Sequence, residues 1–111
     1  MTTSTPMSLM GKTYVISDLT NASQQVTLRD DDINSSRIVI DNSLGTTSVF
    51  ICSGTTSQTA VYPTSNSVPS MGRVVGAGTV QTWAKDTTHK FIAGIRESGT
   101  ADVVIMVGSG E

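Results

Sequence analysis

The sequence predicts an all-β protein, specifically a small β-sandwich of the jelly-roll type with about eight short strands. Val and Ile together number 20 against 4 Leu, and β-branched side chains suit a pleated, half-buried surface. Short apolar runs recur at spacings of roughly 8–12 residues between polar turns, as in sandwiches and barrels. No segment keeps the 3.6-residue period of an amphipathic helix.

The chain of 111 residues divides into an arm and one domain. Residues 1–12 are rich in Thr and Ser and have no period, so we predict a flexible N-terminal arm. Met7, Leu9 and Met10 are the apolar side chains by which this arm could order on a partner. Residues 13–111 form the predicted single β-sandwich domain.

The strand-like runs lie, in order, at 14–16, 25–28, 37–41, 48–52, 60–62, 73–75, 79–83, 90–96 and 101–107. The run at 60–62 is the weakest and is stopped by Pro63. We predict hairpins across residues 42–46 and 97–100, because each connection offers a Gly for a turn. Residues 63–72 are predicted to form a loop, since they contain two prolines and several turn formers.

The last run is apolar on both faces. Val103, Ile105 and Val107 alternate with Val104 and Met106, so each set points to a different side of the sheet. This pattern predicts a central strand or one covered by a neighbouring subunit, with Val104 and Met106 as candidate partner-binding residues.

Charge and cysteine content exclude several classes. A net charge of −2 does not suit a nucleic-acid binder, which needs a basic stripe to neutralise phosphates. No run approaches the roughly 20 apolar residues that span a bilayer. The N-terminus lacks the pattern of a secretory signal, and the single cysteine cannot form an intrachain disulfide. We therefore expect synthesis and retention in a reducing cytoplasm, or export without a signal peptide.

Catalytic equipment is sparse. One histidine, His89, cannot build a histidine metal cage, and no cofactor motif is present. A Cys52–His89 nucleophile pair is formally possible, but Cys52 ends an apolar run, where a half-buried thiol is the ordinary interpretation. We expect no enzymatic activity and no cofactor.

The acidic cluster resembles the beginning of a calcium loop. Asp30, Asp32 and Asn34 occupy alternate positions, but Ser35 replaces the turn glycine and the flanks are strand-like. A solvated turn, in which Asp and Asn bond their own backbone, fits better, and no metal site is predicted.

A carbohydrate-binding module would need exposed aromatic platforms. Tyr62 and Trp83 are the candidates, although core packing suits Trp83 better. This alternative stays open at the level of sequence.

From Ser36 onward the order of features is more specific. The features are 36–42 (SRIVIDN), 45–51 (GTTSVFI), a Pro-containing loop at 68–69, 78–83, 91–95 (FIAGI) and 98–105 (SGTADVVI). This order resembles a group of small tailed-bacteriophage virion proteins over roughly residues 36–107. Their pattern is a strand ending in Asn, a Gly-Thr turn, a "V-Y/F-I" strand, a loop, an "I-A-x-I" strand, then "S-G-T-A-D-V" and a last strand.

The resemblance implies a structural role without catalytic residues. Such a protein would decorate or cement the capsid surface by binding the major capsid protein, after synthesis in the host bacterial cytoplasm. It implies a homo-oligomer, a trimer or another cyclic assembly, whose self-association hides the second face of the last strand. Alternatives are a neck or tail component of the virion, or a β-sandwich that binds glycans or a host surface.

Overall fold

The computed structural model describes residues 8–9, 13–63 and 72–109. Its strands are β1 Ser8–Leu9, β2 Tyr14–Leu19, β3 Gln24–Thr27, β4 Arg37–Asp41, β5 Val49–Gly54, β6 Gly72–Val75, β7 Val80–Ala84, β8 Phe91–Arg96 and β9 Ala101–Ser109. A single 3₁₀ turn, Asp30–Asp32, accompanies them in this part of the chain. The predicted all-β class is confirmed. Over the same residues, no helix is long and apolar enough to cross a membrane.

The strands form two antiparallel sheets. In sheet A the order is β1-β9-β4-β7, with β2 also paired to β9 on the side of β1, and in sheet B the order is β3-β8-β5-β6. From β2 onward the chain changes sheet at every connection except β5 to β6. This alternation is the connectivity of an eight-stranded jelly roll, in which two Greek keys form a sandwich.

Both predicted hairpins are wrong. The connections at 42–46 and 97–100 do not join paired strands, because β4 and β9 lie in sheet A whereas β5 and β8 lie in sheet B. The inner faces of these strands stack across the sandwich in one core instead of lying side by side. Turn residues therefore serve here to change sheet, and Gly99 supplies a φ of 75° for one such corner.

The main core lies between the sheets. Alternate residues of each strand point inward, as in β9, where Val103, Ile105 and Val107 are almost fully buried. Ile38 and Ile40 of β4 are their cross-strand partners, in register with Val107 and Ile105. Sheet B contributes the opposite wall, whose most buried residues are Val49, Ile51, Val75 and Ile92.

The segment after β5 covers the outer face of sheet B. Residues 60–62 are not a strand, in contrast to the prediction. Instead Ala60 and Tyr62 pack onto a second hydrophobic cluster with Phe50 and Ala93. The Ala60 N–H donates to the Ser23 hydroxyl at 2.8 Å, which fastens this segment to the β2–β3 connection.

One end of the sandwich, here called the crossover end, is held by the buried side chain of Arg96. Its guanidinium donates to three backbone carbonyls, those of Leu19 (3.1 Å), Thr47 (2.9 Å) and Ala101 (3.3 Å). These carbonyls belong to the ends of β2, the β4–β5 connection and the start of β9. Burial lowers the pKa of Arg96 from its ordinary value, yet a guanidinium stays protonated in proteins.

Asn42 completes the crossover end. Its buried Nδ2 lies within hydrogen-bond distance of the carbonyls of Thr47 (3.0 Å), Val75 (3.3 Å) and Gly76 (3.1 Å). The β6–β7 connection is thus tied to the β4–β5 connection. Gly45 packs against both Asn42 and Arg96, and a Cβ at that position would clash with their side chains. Close approach, not a positive φ, is why a glycine stands there.

Lys85 holds the opposite end of the sandwich. The buried ammonium donates to the carbonyls of Ile33 (2.7 Å), Ser35 (3.3 Å) and Asp86 (2.7 Å). Desolvation lowers the pKa of this ammonium. These bonds fasten the β3–β4 connection to the β7–β8 connection, so both ends of the fold use a buried cation that faces backbone carbonyls.

Two residues of the predicted N-terminal arm belong to sheet A. Ser8 and Leu9 pair with Ser109 and Gly108 of β9. The predicted anchors Met7 and Met10, and most of the predicted loop at 63–72, lie outside the described residues. The flexibility of the arm therefore stays a prediction.

We expect Arg96→Met to destabilise the fold by at least about 2 kcal/mol, because the carbonyls of Leu19 and Ala101 lose this donor at about 1–3 kcal/mol each, whereas the Thr47 carbonyl keeps the Asn42 amide. The measurement is the free energy of unfolding in urea. Arg29→Met is the matched control, since that side chain is 50% exposed and its loss should change stability by less than about 0.5 kcal/mol. Equal stabilities of the two variants would contradict the role given to Arg96.

Candidate protein-interaction surface

The outer face of sheet A is the candidate functional surface, and its side chains form three cross-strand rows. The Asp41 row is Val15, Val104, Asp41 and Val80; the middle row is Met106, Val39 and Thr82; and the Arg37 row is Gly108, Arg37 and Ala84. Paired residues of antiparallel strands project to the same side, so each row lies on one face.

This face is apolar and accessible. Val15, which is 47% exposed, adjoins the partly exposed Val104, and Val80, which is 52% exposed, ends the same row beyond Asp41. Val39 and Met106 continue the apolar surface into the middle row. Neither hydrophobic cluster of the described residues lies on this side of sheet A. Contiguous apolar surface of this kind is characteristic of sites that bind other proteins.

The charged side chains of the three rows are Arg37 and Asp41, at opposite ends of β4. They are four residues apart and therefore separated by roughly 13 Å along the strand. Hydrogen bonds from Ser43 lower the pKa of the Asp41 carboxyl, and the Ser43 backbone N–H lies 2.8 Å from Asp41 Oδ1. Asp41 is therefore ionised at neutral pH, and the face carries one positive and one negative edge.

The structure confirms that β9 is a central strand, since β4 pairs on one side and β1 and β2 pair on the other. Val104 and Met106 do share the outer face, whereas their role in binding a partner stays a prediction. Sequence reasoning missed the neighbours Val15, Val39 and Val80. The alternation in 37–41 places Val39 opposite its buried neighbours, but only the strand pairing shows what lies beside it.

His89 is paired with a serine instead of the cysteine. Its Nδ1 lies 2.7 Å from the Ser53 hydroxyl. Cys52 packs against the second hydrophobic cluster, and burial raises the pKa of its thiol. The carboxylate of Asp86 accepts from the backbone and hydroxyl of Thr88. Within the described ranges, the Ser53–His89 contact is not accompanied by the orienting carboxylate bond of a catalytic triad.

The side chains of the acidic cluster at 30–34 do not point to one common site. Asp32 is buried and accepts from the Tyr14 hydroxyl at 2.5 Å, whereas Asp30 and Asn34 are exposed. The Tyr14 oxygen also accepts from the Arg29 N–H at 2.9 Å, which anchors the 3₁₀ turn on β2. Within the described residues, no group of three or more His, Cys, Asp or Glu could hold a metal ion.

The two aromatic candidates for glycan binding lie apart. Trp83 packs against the main core from β7, and the Arg73 guanidinium lies 5.4 Å from its ring centroid. Tyr62 packs on the outer side of sheet B. Because β7 and β6 are edge strands of different sheets, the Arg73–Trp83 contact closes one side of the sandwich. The two rings do not form one platform.

Comparisons of this chain with protein-family models, curated proteins and solved structures find no match.

Neighbouring residues of β9 test which face of sheet A is the surface. We expect Ile105→Ala to lower the free energy of unfolding by about 2–5 kcal/mol, because Ile105 is fully buried. Val104→Ala, one residue away on the outer face, should cost less than about 1 kcal/mol, since it leaves no enclosed cavity. Chemical denaturation of both variants measures this difference. A larger loss for Val104→Ala would place the core on the other side.

Proposed function

We propose that this chain is a non-enzymatic structural protein of a tailed-bacteriophage virion, which decorates or cements the capsid by binding the major capsid protein. The order of turns and strands from Ser36 to Ile105 supports the virion assignment through its resemblance to such proteins. The outer face of sheet A is the observation that supports a binding role, because it presents apolar side chains to solvent on a sandwich with few charges.

The two predicted contact regions bind different partners. Met7, Leu9 and Met10 of the arm engage the capsid, where ordering of the arm exchanges entropy for wrapped area. Val104 and Met106 lie on the face that serves self-association. Leu9 pairs with Gly108 of β9, in the same cross-strand row as Arg37.

The copy number in virions tests the capsid role. In purified particles of the phage that encodes the chain, we expect it at a number comparable to that of the major capsid protein. Quantitative mass spectrometry, with tail proteins of low copy number as internal references, makes the measurement. A few copies per particle would assign the chain to the neck or tail, and its absence would refute the virion role.

Polar substitution of the arm tests its part in attachment. We expect Met7→Ser, Leu9→Ser and Met10→Ser together to weaken capsid attachment at least about tenfold, since three apolar contacts are lost. The thermal midpoint should change little, because Ser8 and Leu9 pair with β9 through their backbones. Cosedimentation with undecorated capsids measures attachment, and calorimetry measures stability. Undiminished binding would contradict the assignment of the arm.

A further inference from the structure

We propose that two copies of this chain associate face to face through the outer faces of their sheets A, about a twofold axis that runs across the strands. This inference names the partner and the geometry for the self-association in the proposed function, and it replaces a three-fold arrangement with a twofold one. It rests on that self-association but not on the virion role.

The outer face is complementary to itself. Its centre is the middle row, where Met106 and Val39 present apolar side chains. Arg37 lies on one side of that row and Asp41 on the other, each two residues from Val39 along β4. An apolar centre between opposite charges is a pattern that the same surface on a second copy can match.

Charge decides between the two twofold arrangements that would stack these faces with their strands aligned. An axis parallel to the strands and over β4 keeps positions along β4 in register, so Arg37 meets Arg37 and Asp41 meets Asp41 of the second copy. An axis across the strands reverses that direction, so each Arg37 lies opposite an Asp41. Val39 then faces Val39, and Met106 faces Met106. Only the second arrangement combines opposite charges with an apolar centre.

Two further acidic residues of the described chain, Asp18 and Asp102, lie next to one another near this face, and neither opposes the arrangement. Asp102 projects from β9 on the same side as Val104, beyond the Asp41 row, and its Oδ1 accepts from the Asp18 N–H at 2.9 Å. Reversal about the middle row places Asp102 past the Arg37 row of the second copy instead of opposite Asp41. The Arg37–Asp41 contacts therefore dominate the electrostatics of the interface.

The size of the face sets the strength of association. Four strands at about 4.8 Å and five residues at about 3.3 Å give it roughly 19 by 17 Å, or about 320 Å² in projection. A standard interface buries about 800 Å² on each partner. We therefore expect a weak dimer that forms with rising concentration and loosens with rising salt, since the charges lie at a solvent-exposed rim.

Charge reversal tests the geometry. Sedimentation velocity over a concentration series of the full chain should show dimerisation of the wild type. In a dimer of Arg37→Glu, each introduced carboxylate lies opposite an Asp41 carboxylate, so two repulsive contacts form. Dimerisation should therefore weaken at least about tenfold. The double variant Arg37→Glu/Asp41→Lys exchanges both charges within one chain, so it should dimerise about as well as the wild type. An axis parallel to the strands would leave like charges together in this double variant.

Arg29→Glu is the matched control, because it makes the same change in net charge at a side chain that is 50% exposed and outside the three rows. It should dimerise as the wild type does. Asp41→Lys alone should weaken dimerisation as Arg37→Glu does, and an equimolar mixture of these single variants should recover it. Thermal unfolding of each variant verifies the fold.

A wild type that stays monomeric at millimolar concentration would overturn the proposal, as would unaltered dimerisation of Arg37→Glu or no recovery in the double variant. The virion role is judged separately by copy number in particles. A monomeric wild type that is abundant on capsids would refute the dimer alone, whereas a dimer that is absent from virions would refute the virion role alone.

Discussion

The Arg96 guanidinium is the constraint on which the architecture depends, since it connects the ends of strands that belong to different sheets. Burying a cation carries a desolvation cost, and among the described residues Arg96 meets this cost with hydrogen bonds to three carbonyls instead of with a carboxylate. Asn42 adds a further cost, because its buried Oδ1 has no hydrogen-bond partner among the described residues. Arg96 and Asn42 contribute to the fold through the positions of the carbonyls that they bind. Carbonyls from the β2–β3, β4–β5, β6–β7 and β8–β9 regions all face these two side chains, which disfavours any alternative pairing of the strands.

The connections that Arg96 and Asn42 hold also determine which faces of the two sheets are exposed to solvent. Once Ile105 and its neighbours are directed inward, the period of two directs Val104 and Met106 outward. Sheet B has its own cover, because Ala60 and Tyr62 pack over its outer face. Among the described residues, sheet A has no comparable cluster. The two sheets are therefore unequal: the outer face of sheet B carries a packed cluster beside the exposed Val74, whereas the outer face of sheet A exposes Val15 and Val80.

The sequence predicts the elements of this fold better than their arrangement. Strand β4 agrees with its predicted bounds at 37–41 because Ile38 and Ile40 alternate with less apolar residues. The turn at 97–100 was misassigned because a Gly suits a sheet-changing corner as well as a hairpin. Arg96 did offer a signal, since a charged residue ends an otherwise apolar run. Its three acceptors are distant in sequence, however, and no local pattern identifies them. The same limit hides Val15 and Val80, which become neighbours of Val104 and Asp41 only through register.

A face of this size suits a surface lattice better than a permanent complex. Its only charges in the three rows are Arg37 and Asp41, so the attraction between two copies is weak and oriented. In the proposed role, the capsid holds many copies at fixed spacing, and a high effective concentration replaces affinity in each pairwise contact. Because Ser8 and Leu9 of the arm pair with β9, anchoring the arm would restrain the sheet that carries the face. Capsid attachment would then reduce the rotational freedom lost when two faces meet, so each interaction strengthens the other without a new contact.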